Sequence, residues 1–182
     1  MNCVTLQSAV KAVCDELPLI ENEASIEARY LVCHHTESTL TDVFAYPDQR
    51  VTKAQWQMIQ QSVQRRVAGE PLAYVLGYAS FWTLQLDVSP ATLVPRSDTE
   101  CLVAWVLAQQ SNDTALQVAD LGTGTGAIAI ALATERPRWR VHATDQCEEA
   151  LAIAKKNASR YLTDRLSFFQ GDWCDALPDQ DY

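Results

Sequence analysis

The sequence predicts an α/β protein: an amino-terminal helical bundle, then a β-hairpin, then strands alternating with helices. Three observations predict it. Apolar residues recur at helical spacing through residues 1–70. The period shortens to two where Trp82, Leu84, Leu86 and Val88 alternate with Thr83, Gln85 and Asp87. From Ser89 onward, apolar strands alternate with helical patterns, which implies parallel strands joined by right-handed crossovers.

In the bundle, Leu6, Ala9, Val10, Val13 and Leu17 share one face of a first helix, and Ala24, Ala28, Leu31 and Val32 form a second stripe. A short third helix holds Leu40, Val43 and Phe44 and ends before Pro47. Thr52 and Gln55 form a capping box for a fourth, which carries Trp56, Ile59, Val63 and Val67 and stops at Gly69. After Pro71, Leu72–Leu76 and Phe81–Val88 read as strands turning around Gly77 and Ser80. The predicted division is therefore 1–70 helical, 71–90 a hairpin linker, and 91–182 α/β.

In the α/β part, Ser97 and Glu100 suggest a capped helix with Leu102, Val103, Val106 and Leu107 inward. A strand over Ala115–Ala119 leads through glycines into a helix over Ala127–Ala133. A strand over Arg140–Thr144, a helix over Glu148–Ala158 and a strand over Leu166–Gln170 follow.

A net charge of −9 argues against nonspecific nucleic-acid binding, because phosphates favour a basic surface. The six cysteines, Cys3, Cys14, Cys33, Cys101, Cys147 and Cys174, form no CxxC pair. With His34, His35 and His142 they make no zinc spacing, so scattered buried thiols in a reducing cytoplasm are expected, with no metal site. The longest apolar run, Ala127–Ala133, is far short of the roughly 20 residues that span a bilayer. No export signal is legible between Met1 and Leu17, and no membrane association is expected. His34–His35 reads as a helix surface pair, Trp56 as core and Lys155–Lys156 as a solvated face. Arg96, Asp98 and Glu100 fit a channel border or local capping equally well.

The chemistry is concentrated in Asp120-Leu121-Gly122-Thr123-Gly124-Thr125-Gly126. Glycines at a strand-to-helix junction permit positive φ and close approach of a ligand, and in open α/β sheets ligands lie at the carboxyl ends of strands. Two ligands compete. Gly122-x-Gly124-x-x-Ala127 satisfies the dinucleotide fingerprint, and Asp145, ending the next strand, can bind a ribose in either case. Asp120 favours S-adenosylmethionine, whose sulfonium and ammonium are cationic, over an anionic pyrophosphate. Asp172 can accept from an adenine amino group, and Trp173 can cover the ring or serve as a core-edge residue.

Gly69-Glu70-Pro71-Leu72, Phe81-Trp82 and Val88-Ser89-Pro90-Ala91-Thr92-Leu93-Val94-Pro95-Arg96-Ser97-Asp98-Thr99-Glu100 resemble the interdomain signature of the HemK/PrmC release-factor glutamine methyltransferases, and Asp120–Gly126 is similar to that family's cofactor loop. The resemblance covers the whole chain. It implies a Rossmann-like S-adenosylmethionine-dependent methyltransferase domain behind a helical substrate-recognition domain. The implied reaction is methylation of the side-chain amide nitrogen of the glutamine in the Gly-Gly-Gln loop of peptide chain release factors, in the cytoplasm. It also implies that Gly122, Thr123, Gly124, Thr125 and Gly126 line the donor's methionine portion, that Asp145 binds its ribose and that Trp173 lies beside its adenine. Ser97 stands where the family commonly has proline. The family's Asn-Pro-Pro-Tyr motif follows a fourth strand expected to begin near Asp181–Tyr182, so no catalytic residue is assigned. The first strand is then an edge, and the chain by itself is expected to be inactive and poorly stable or self-associating. Alternatives are a ribosomal-protein glutamine methyltransferase, a noncatalytic release-factor-binding fragment and an NAD-dependent oxidoreductase.

Overall fold

The computed structural model describes residues 4–161 and 165–178. Cys3 and the closing Asp181–Tyr182 lie outside them. The described cysteines are not buried as expected: Cys14 and Cys33 are half-buried, and Cys101, Cys147 and Cys174 are exposed at the surface. The chain forms two compact units, Met1–Leu76 and Gly77–Tyr182.

The first unit is helical. Helices α1 (Leu6–Glu16), α3 (Leu40–Ala45) and α4 (Lys53–Val67) each begin on a threonine capping box, formed by Thr5 with Ser8, Thr39 with Asp42, and Thr52 with Gln55. Helix α2 (Glu21–Thr36) buries the whole predicted stripe Ala24, Ala28, Leu31 and Val32. Its Glu27 accepts two hydrogen bonds from Arg66 of α4, at 2.7 and 3.1 Å. Leu6, Ala9, Val13, Leu17, Ile59 and Val63 complete the core, while Trp56 is half-buried and Val67 exposed. His35 Nε2 lies 2.7 Å from the Ser62 hydroxyl, so only His34 of the predicted surface pair is exposed. Burial lowers the pKa of both imidazoles.

Leu72–Leu76, predicted as a strand, is a one-turn helix, α5. Tyr74 and Val75 donate to the Pro71 carbonyl, and Gly77 stops the helix at φ 81°. Leu72, Val75 and Leu76 pack on the first core at i, i+3, i+4 spacing. An apolar run of this length carries no period that separates strand from helix.

The second unit opens with the antiparallel strands β1 (Tyr78–Phe81) and β2 (Leu84–Asp87). Their turn is Trp82–Thr83, not the predicted Gly77–Ser80. Gly77 is used to end α5. Trp82 carries a φ of 55°, which glycine usually supplies, and is held by its N–H to Glu100 (2.9 Å) and its indole N–H to Glu135 (2.7 Å). Phe81, Leu84 and Leu86 enter the core of this unit, so the hairpin is part of it and not a free-standing linker.

Helix α6 (Asp98–Gln109) lacks the predicted Ser97 cap: Ser97 is itself in helical conformation, the Glu100 N–H donates to its carbonyl at 2.9 Å, and the Glu100 side chain is bound to Trp82. Val103 is buried and Val106 and Leu107 are partly so, but Leu102 is exposed. Strand β3 (Gln117–Leu121) runs two residues later than predicted, because Asp120 and Leu121 pair with Ala143 and Thr144. Helix α7 (Ala127–Glu135) buries almost every side chain of its apolar run. Strand β4 (Arg140–Asp145), helix α8 (Glu148–Ala158) and strand β5 (Leu166–Gln170) follow at or within a residue of their predicted bounds. The sheet is parallel in the order β3-β4-β5. Among the described residues, β3 is an edge and β4 is central and buried along most of its length.

Candidate functional site

The carboxyl ends of β3, β4 and β5 meet in an open cleft of about 230 Å3, lined by Gly122, Thr144, Asp145, Gln146, Gly171, Asp172 and Trp173. The register brings them together: Leu121 lies beside Thr144, and Asp145 beside Gln170. The glycine loop leaves β3 through bonds from the Gly122 and Thr123 N–H groups to the Thr144 carbonyl, at 2.9 and 2.8 Å.

The glycines of the loop do different work. Gly122 has φ 75°, and a Cβ built there would project into open space. Packing does not require glycine at that position, whereas close approach of a ligand would. At Gly126, φ 82°, a Cβ would lie 3.0 Å from Ile130 Cδ1 and 3.3 Å from Ala154 Cβ. That glycine lets α7 and α8 close on each other. Thr123 and Thr125 are buried.

The acidic side chains divide in the same way. Asp120, predicted to face the ligand charge, does not line the cleft. It accepts from the Thr123 hydroxyl at 2.7 Å. Burial pushes its carboxyl pKa up, and Asp145 adds to the rise, while that hydrogen bond opposes it. Asp145 and Asp172 are the carboxylates at the cleft. The Asp145 carboxylate is held by backbone. One oxygen accepts from Gly124 N–H and the other from Cys147 N–H, each at 2.9 Å. Asp172 Oδ1 accepts from Gln146 Nε2 at 2.6 Å, bridging the ends of β4 and β5. Trp173 is 66% exposed, at the start of a 3-10 turn and at φ 44°, an unfavourable backbone for a bulky residue. Thr144 also lines the cleft; it is fully buried, and its hydroxyl has no hydrogen-bond partner.

A purine nucleoside with a cationic arm fits these features: open backbone at Gly122, an exposed indole and two carboxylates. None of the described residues lining the cleft is a lysine or arginine. Among the described residues no cluster of His, Cys, Asp and Glu suits a metal ion, and no helix is long and apolar enough to cross a membrane.

Residues 8–77 match the PrmC N-terminal domain, and residues 112–182 match a methyltransferase domain. The release factor glutamine methyltransferase of Coxiella burnetii is 40% identical over 179 residues, 98% of this chain and 65% of that protein. That of Escherichia coli K12 is 41% identical over 156 residues, 86% of this chain and 56% of that protein. The chain carries a PrmC N-terminal domain followed by a methyltransferase domain. It spans just under two thirds of the length of the Coxiella protein and less of the Escherichia one. The N-terminal domain of human METTL16 is alike at a TM-score of only 0.47 and 17% identity, over 84% of this chain and 58% of that one, too weak a likeness to carry an argument.

In this chain, the predicted Gly122, Asp145, Asp172 and Trp173 converge on one cleft, whereas Thr123, Thr125 and Gly126 support the loop from behind. Gly124 joins the two groups through its bond to Asp145. Gln146, Gly171 and Thr144 were not predicted. Gln146 and Gly171 adjoin predicted residues, and their place at strand ends was the available signal. Thr144 gave none, since a threonine inside a strand is ordinary.

Proposed function

We propose that this chain is the donor-binding part of an S-adenosylmethionine-dependent methyltransferase that modifies the side-chain amide nitrogen of a glutamine in peptide chain release factors. The observation that carries the donor assignment is the cleft's charge: Asp145 and Asp172 line it, with no basic side chain among the described residues there. A cationic donor is attracted there, and an anionic pyrophosphate is repelled. The substrate assignment rests on the relatives' activity and on a match extending through both units. The first unit is then the part that helps to engage the release factor.

When bound, the donor supplies an electrophilic methyl group. The chain's own residues hold and shield it. Gly122 leaves its backbone open to the methionine portion, with Thr123, Gly124, Thr125 and Gly126 shaping the turn. Asp145, its carboxylate fixed by Gly124 and Cys147, accepts from the ribose hydroxyls. Asp172 accepts from the adenine amino group, and Trp173 covers one face of the ring. An amide nitrogen is a weak nucleophile, because its lone pair is delocalised, so positioning must supply much of the rate. No residue of this chain is assigned to that step.

The test is tandem mass spectrometry of a release factor incubated with S-adenosylmethionine and the protein carrying this sequence at the full length of its relatives. One added methyl group on a release-factor glutamine is expected. Methylation of a ribosomal protein instead would overturn the substrate assignment.

A further inference from the structure

The buried face of α8 is Ala150, Leu151, Ala154, Asn157 and Ala158. Only Asn157 is polar, and it is completely buried. An amide in such a place is unfavourable unless its polar atoms find partners. Asn157 Oδ1 accepts from Asp87 N–H at 2.7 Å, and Nδ2 donates to the Asp87 carbonyl at 3.0 Å and the Thr125 carbonyl at 2.9 Å.

One turn later, Tyr161 repeats part of this pattern. Its hydroxyl accepts from Gln85 N–H at 2.8 Å and donates to the Gln85 carbonyl at 2.9 Å. The two side chains close the outer edge of β2 as a neighbouring strand would. Edge closure accounts for both Tyr161 bonds and for two of the three made by Asn157. It does not account for the third, which reaches the glycine loop next to Gly126, where Ala154 of the same helix already packs close.

We propose that Asn157 is a positioning residue for the cleft: by tying the Thr125 carbonyl to β2, it fixes the backbone of the Gly122–Gly126 loop and thereby sets the affinity for the methyl donor. The affinity half of this proposal rests on the donor reading above; the loop half does not.

Asn157→Ala and Tyr161→Phe separate the two roles, because both loosen the β2 edge and only the first releases the loop. Amide hydrogen exchange at Gly124 and Gly126 is expected to be about tenfold faster in Asn157→Ala and little changed in Tyr161→Phe, with S-adenosylhomocysteine bound about tenfold more weakly by the former alone. Equal effects of the two substitutions, or an unaltered loop in Asn157→Ala, would overturn the proposal. Should Asn157→Ala fail to fold, nitrogen-15 NMR of the unsubstituted chain decides the matter. The Asn157 side-chain amide resonances should shift as S-adenosylhomocysteine is added, and unmoved resonances in a binding chain would refute the coupling. No binding by the unsubstituted chain would remove the donor reading, and the exchange comparison would still decide the clamp.

Discussion

In the first unit, α1, α3 and α4 each begin on a threonine whose hydroxyl accepts from the backbone three residues on, with the reply coming from Ser8, Asp42 or Gln55. In the second unit, α6, α7 and α8 begin with no such side-chain cap. There Asp145 reaches further, accepting from Gly124 and from Cys147 at the start of α8. Three helices of the first unit therefore satisfy their first turns locally, while α2 has no side-chain cap. Asp145 both meets a helix start and lines the cleft, so at that residue stability and binding are bound together. A single substitution at a cap such as Thr52 should separate these properties, and one at Asp145 should not.

The largest effect is expected from Asp145→Ala. It strands the Gly124 and Cys147 N–H groups and removes a cleft carboxylate, so denaturant unfolding should show a loss of about 1–3 kcal/mol. Donor affinity, measured by calorimetry, should fall at least about tenfold with it. Thr52→Ala should cost about 1 kcal/mol of stability by removing a cap, with donor affinity unchanged. A fall in affinity there would break the contrast between the units.

Asp120→Asn is a finer probe. It keeps an acceptor for Thr123 while removing a charge that burial disfavours. Because the folded pKa is raised, the wild-type carboxyl contributes its stability below its ordinary value of 3.8 and loses it as pH rises through the raised value. The variant should flatten that part of the stability profile and be no less stable at neutral pH. The smallest effect belongs to Asp87. Burial alone raises its pKa, but Lys156 at 2.6 Å and Arg160 at 2.7 Å more than reverse this. Its contribution is complete above pH 3.8 and is lost as pH falls through the lowered folded value. Asp87→Asn should remove this acid-side decline in a denaturation series run at stepped pH.

Legibility from sequence followed the same division. The Thr52–Gln55 box, the stripe Ala24, Ala28, Leu31 and Val32, and the bounds of α8 and β5 were readable because each depends on residues within a few turns. Leu72–Leu76 was misread because five apolar residues have no decisive period, and the hairpin turn because Trp82 occupies a backbone that glycine normally takes. The Ser97 box failed because Ser97 is itself helical and Glu100 had a distant partner. At the site, the cleft's location was legible from glycine spacing and strand ends. The division of labour was not: it depends on whether a Cβ at Gly122 or Gly126 meets open space or Ile130, and on which way Asp120 faces. The charge argument survives that correction, carried by Asp145 and Asp172 in place of Asp120.

Parallel calorimetric titrations of this chain with S-adenosylmethionine and with NAD test the central claim most directly. The acidic, base-free cleft predicts saturable one-site binding of S-adenosylmethionine, weakened in Asp145→Ala, and no measurable heat from NAD. Binding of NAD in preference to S-adenosylmethionine would contradict it.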